Sequence, residues 1–233
     1  MFLLATARWV LSLLGRHPLI WLWAALVAAV WPAVLLFTPI GTTSAGQGSA
    51  LALHELAFVA LLLGVLAGLL VVQRGAWFLE PLSPGRRLAT EFMALSAPAP
   101  LFLMAALVPA VMLGGAGGAE TWTLLPVRVV LAHLHLVAVA LVLLRAPLGP
   151  TLRLVALPLA VWVLPALLLP AEPWGGRIAG WLEASRPLRL SADTLSLTTA
   201  LSSALAPTIG ILALALLLSQ APPRIAHALR NPR

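Results

Sequence analysis

The length of the apolar runs constrains this chain more than any other feature. Residues 19–40 and 51–72 each continue without an arginine for long enough to cross a hydrocarbon core of about 30 Å, which takes about 20 helical residues. Further apolar runs occupy 92–113, 121–144, 154–169 and 197–218. In lipid no water satisfies the backbone, so runs of this kind fold as helices that bond their own peptide groups. The expectation is an all-α integral membrane protein with six transmembrane helices, forming one transmembrane domain over 1–233. With 61% hydrophobic and 9% charged residues, an ordinary soluble domain is excluded. The chain has no cysteine, which removes disulfides, thiolate metal sites and cysteine nucleophiles.

Residues 1–16 place Phe2, Leu3, Leu4, Trp9, Val10, Leu13 and Leu14 in clusters at helical spacing, interrupted by Arg8, Ser12 and Arg16. This pattern predicts an amphipathic helix lying in the membrane interface. A cleaved signal is the rival reading, but the first seven residues hold no basic side chain and the long apolar core follows only after Arg16-His17-Pro18. Residues 41–50 are expected to form a short uncharged turn. Pro98, Pro100 and Pro109 predict kinks in the third span, and Pro126 is expected at the first turn of the fourth. Residues 145–153 form a tight connection, and Pro158 and Pro165 fall in a short fifth span. The polar segment 170–196 carries Trp174 and Trp181, seven apart, suited to an interfacial belt or an external gate.

The arginines set the expected orientation. The net charge is +7 with no lysine, but in a membrane chain the positions of the charges matter more than their sum, so no nucleic-acid partner is expected. With the amino terminus in the cytoplasm, Arg8, Arg16, Arg74, Arg86, Arg87, Arg145, Arg153, Arg224, Arg230 and Arg233 fall on the inner side. The outer side keeps Arg177, Arg186 and Arg189 beside Glu172, Glu183 and Asp193. Short cytoplasmic loops hold the basic excess, so both termini and the segment 73–91 are read as cytoplasmic.

That segment, QRGAWFLEPLSPGRRLATE, has two readings. One is an ordinary positive-inside loop anchored at the lipid surface by Trp77 and Phe78. The other is a docking surface. Gly75 frees the chain at the membrane exit, residues 76–80 make a helical turn presenting Trp77, Phe78 and Glu80, and Pro81 and Pro84 stop it. Buried aromatic anchors commonly carry binding energy at such surfaces.

At Gly75, Glu80, Leu82, Ser83-Pro84 and Arg86-Arg87 the segment resembles the loop between the second and third spans of permeases of type-two ATP-binding cassette exporters. Residues 9–18, WVLSLLGRHP, are similar to that family's interfacial elbow helix, and the plan of six spans with a polar external segment between the fifth and sixth is similar too. The chain departs from the family where Val72, Gln73 and Arg74 replace acids before the glycine, and where Thr90-Glu91 stands in place of a lysine. The resemblance implies a permease in a bacterial-type inner (cytoplasmic) membrane, working as a homodimer or a pseudo-symmetric heterodimer of permeases. Each copy would rest a coupling helix, formed by Gly75, Trp77, Phe78, Glu80, Leu82, Pro84, Arg86 and Arg87, on a separate ATPase subunit. ATP and Mg²⁺ would bind that partner, since this chain has no glycine-rich phosphate loop, and no cofactor is expected here. The haem-exporter permease of cytochrome c maturation is a near neighbour in the same superfamily. A membrane scaffold or assembly factor without transport is the reading from another class.

Ionisable groups inside spans are expensive and mark functional hypotheses. Glu55 and Arg128 are expected within roughly 10 Å of the same surface at 1.5 Å rise per residue, where they either pair or snorkel separately to the headgroups. His133 and His135 lie two apart and point to different sides of a helix, which disfavours one shared metal or haem, with or without His54. Histidine hydrogen-bonded within the bundle is the favoured reading. Glu80 and Glu91 are expected in a loop, as solvated ion pairs with nearby arginines.

Overall fold

The computed structural model describes residues 2–16, 18, 20–26, 29, 45–75, 82–112, 119–163 and 197–220. Every regular element among them is helical. In chain order they are α1 (Phe2–Arg16), α2 (Ala45–Arg74), α3 (Pro84–Ser96), α4 (Ala99–Met112), α5 (Ala119–Arg145), α6 (Pro150–Pro158) continued by a π-helical turn (Leu159–Val163), and α7 (Leu197–Gln220). Residues 20–26 are helical too, with Ile20 and Ala24 buried one turn apart. Three helical stretches, Leu56–Arg74, Pro84–Val108 and Leu125–Arg145, are long and apolar enough to cross a membrane, and Pro150–Val161 and Thr208–Leu218 are shorter apolar helices.

Helix α2 is the centre of the bundle. It is apolar all round rather than on one stripe, the composition of a helix surrounded by protein. It packs against α1, α3, α4, α5 and α6. Between apolar helices in lipid, water expulsion contributes little, and close van der Waals approach does the work through small residues. Gly64 and Gly68 supply that approach, four residues apart on one face. A β-carbon on Gly64 would stand 2.8 Å from the Ala99 Cα, and one on Gly68 would stand 2.5 Å from both the Ala94 carbonyl oxygen and the Leu95 Cα.

The surface they pack on is the break between α3 and α4. Pro98 has no N–H to give the Ala94 carbonyl, and Pro100 has none for Ser96, so the helix is interrupted at Ala97 and Pro98. Gly68 thus lies against the carbonyl that Pro98 leaves without a helical donor, where a Cα–H···O contact is the available substitute. The interruption falls at the proline pair, and the central helix closes on it.

Several boundaries differ from the sequence expectation. α2 begins at Ala45, so the second half of the expected 41–50 turn is helical, because Ala45, Gln47 and Ala50 favour helix and no proline stops it. The third apolar element begins at Pro84, not near residue 92. Ser83 stands at the cap position and Pro84 in the first turn, where its missing N–H costs nothing. Pro126 is inside α5, which starts at Ala119. Only the Trp122 carbonyl loses a helical donor there, a loss that membrane helices tolerate. α6 begins at Pro150, again a first-turn proline, which confines the connection after α5 to residues 146–149. The apolar run 197–218 is helical as α7, Leu197–Gln220.

Candidate functional site

One end of the bundle gathers the end of α2, the start of α3, the end of α5, the start of α6 and the middle of α1. Glu91 is at its centre. It lies two turns into α3 and its side chain is 2% exposed, so it is not the solvated loop residue that its neighbours in sequence suggest. The helix that begins at Pro84 carries it inward past the arginine pair. Arg87, one turn back on the same helix, gives Nε to Oε1 at 3.0 Å. Arg145, the last residue of α5, brings Nη2 to within 2.5 Å of Oε2 and is itself only 12% exposed. A buried carboxylate persists only when paired, and two guanidiniums on two helices pair this one.

Each of these groups also has a partner on its own helix. Glu91 keeps Arg87, and Arg145 donates Nη1 to the Leu141 carbonyl at 3.2 Å. When the contact between α3 and α5 opens, Glu91 keeps its counter-charge on Arg87 and Arg145 keeps a hydrogen bond to a backbone carbonyl. Around it, Thr90 returns its hydroxyl to the Arg86 carbonyl at 2.8 Å, and Arg153 Nη2 caps the Ala146 carbonyl at 3.2 Å just beyond the end of α5. Gln73 Nε2 donates to the Pro150 carbonyl at 3.1 Å, which ties the end of α2 to the start of α6.

Gly75 is part of the same end. It is buried in a turn that closes on the Val71 carbonyl at 3.0 Å, and a β-carbon there would lie 2.0 Å from the Trp9 ring. Its role is to receive the Trp9 indole of α1, not to free the chain as the sequence suggested. Leu82 is half-buried against the core, so it also faces inward. Pro84 starts a helix, and Arg86 and Arg87 lie exposed in its first turn. Trp77, Phe78 and Glu80 lie outside the described residues, as do Trp174 and Trp181.

Glu55 belongs to α2 and Arg128 to α5, two helices in contact, but their side chains are outside the described set. The same holds for the side chain of His54. His135 is fully buried and its Nδ1 shares a hydrogen bond with Thr208 Oγ1 at 3.1 Å, joining α5 to α7. This is the bundle-internal histidine favoured from the sequence. Among the described residues no group of three or more His, Cys, Asp or Glu side chains is placed to hold a metal ion.

Sequence reasoning missed the burial of Glu91 and the Trp9–Gly75 contact. The legible signals were Ser83-Pro84 as a helix start and the i, i+4 spacing of Arg87 and Glu91. No local pattern points to Arg145. The chain matches no family model, no curated protein and no solved structure.

Proposed function

We propose that this chain is the membrane-spanning permease subunit of an ATP-binding cassette exporter, with six spans and both termini in the cytoplasm. It pairs with a second permease and couples to separate ATPase subunits that carry ATP and Mg²⁺. The observation that supports this most is how firmly the residues flanking 76–81 are held. On one side that segment joins Gly75, held under Trp9; on the other it joins α3, held to α5 through Glu91 and Arg145. A partner pressing on that segment moves α2 and α3 directly and α5 through the ion pair. Rigid elements rocking between two packings need this kind of transmission. Because Glu91 keeps Arg87 when Arg145 withdraws, the contact can be remade in each cycle without stranding the buried carboxylate.

The test begins with the neighbouring reading frames: an adjacent ATP-binding cassette ATPase is co-expressed with this chain and the pair purified through a tag on either subunit, and a neighbourhood that encodes none removes the main expectation of this reading. The two copurify and ATP hydrolysis responds to the permease. Trp77→Ala with Phe78→Ala removes the association while the thermal midpoint of the permease stays unchanged. An ATPase that copurifies but turns over identically with and without this chain makes the chain a scaffold instead.

A further inference from the structure

Among the described residues, the outward face of α1 is exposed. Val10 is buried in the core and Trp9 packs on Gly75, and these contacts set the rotation of the helix. On the arc away from Val10, Arg8, Ser12, Gly15 and Arg16 are all exposed, spaced so that they form one strip. The Ser12 hydroxyl is occupied by the Trp9 carbonyl at 2.8 Å, so the strip presents mainly guanidinium charge. Arg74 is exposed next to Gly75, where Trp9 docks.

Among the described residues no acid balances this strip. α1 contains none, and Glu91, the described acid at this end of the bundle, is taken by Arg87 and Arg145. Apolar side chains border the strip. Leu11 is 63% exposed, and Trp21 donates its indole N–H to the Gly15 carbonyl at 3.3 Å, which folds it back to the end of α1 while it remains 51% exposed beside exposed Leu22.

We propose that Arg8 and Arg16, with Arg74 beside the Trp9 contact, bind the phosphate of an anionic phospholipid. A guanidinium matches a phosphate bidentately, and exposed leucine and tryptophan next to it suit the boundary between headgroups and acyl chains. An acidic protein surface would match the charge but would gain nothing from the apolar border. The inference stands independently of the exporter reading.

Native mass spectrometry of the full-length protein in detergent, titrated separately with phosphatidylglycerol and phosphatidylcholine, tests it. Phosphatidylglycerol binds more tightly, and added inorganic phosphate at equal concentration does not displace it. At about five-fold per arginine near an anionic surface, Arg8→Gln with Arg16→Gln weakens phosphatidylglycerol roughly 25-fold and leaves phosphatidylcholine unchanged. Arg74→Gln alone weakens it about five-fold. Equal binding of the two lipids by the unmodified protein overturns the proposal, as does a double variant that keeps the preference. Displacement by inorganic phosphate reassigns the strip to a soluble anion and overturns the lipid assignment.

Discussion

The indole of Trp9 occupies the space that a β-carbon on Gly75 would need, with Cζ2 2.0 Å from that position. The amino-terminal helix is thereby seated on the last turn of the central helix, at the point where the chain leaves α2. Two features that look separate in sequence, an interfacial helix and a polar connection, are one contact.

Gly75→Ala should therefore destabilise the protein by about 1–3 kcal/mol, the usual range for overpacking. The loss should shrink in a Trp9→Ala background, because the ring that blocks the methyl is gone. Thermal unfolding of the four proteins in one detergent gives the coupling energy; equal losses in both backgrounds would show that the contact is not what constrains Gly75.

At Glu91 the two arginines should behave non-additively. Arg87→Ala leaves Arg145, and Arg145→Ala leaves Arg87, so each single change should lower stability by only about 1 kcal/mol. The double change strands a buried carboxylate and should remove about 3–5 kcal/mol. Adding Glu91→Gln to the double variant should recover most of that loss. Denaturant midpoints that simply add across the series would show that Glu91 has other compensation.

Gly68→Leu should disrupt the bundle, since the side chain would enter the backbone at Ala94 and Leu95. Gly68→Ala should cost about 1–3 kcal/mol. Gly85→Ala, at an exposed first-turn position with nothing within 4 Å of the added carbon, should be neutral or slightly stabilising. A fluorescence-based thermal shift on the purified protein separates the two sites.

Removal of the His135–Thr208 bond should have a modest effect. Interhelical hydrogen bonds in membranes average about 0.6 kcal/mol in double-mutant cycles, because the separated helices find other partners. Thr208→Val with His135→Phe should show a coupling near that value. A coupling several times larger would indicate that the buried imidazole organises more than this one bond.

The helical character of the chain was legible from local features. Apolar length required helices, and α1 and α7 fall where the residue pattern put them. The proline pair at Pro98 and Pro100 announced the break that separates α3 from α4. Boundaries were less legible wherever a residue admits two roles. From sequence Pro84 reads as a stop and Pro150 as part of the 145–153 connection, whereas both stand in the first turn of a helix.

The candidate site was legible only in its parts. The grouping of Arg74, Arg87, Arg145 and Arg153 toward one end followed from the alternation of apolar runs, and the contacts among α2, α3, α5 and α6 bring these residues together. Glu91 was misplaced because it closes the segment 73–91, whose arginines, glycines and prolines suggest a loop.

By itself, then, the sequence determined what a residue's own neighbourhood can encode: apolar length, backbone satisfaction by helices, and the side of the bundle where arginines gather. Only the tertiary structure decided that Glu91 is buried between Arg87 and Arg145, that Gly75 receives Trp9, that Gly68 lies on the Ala94 carbonyl, and that His135 meets Thr208. The physical reason is the range of the forces involved. Helix formation is driven within a few residues, whereas ion pairing and close packing act between atoms a few ångströms apart, and only the folded bundle brings residues so distant in sequence to that separation.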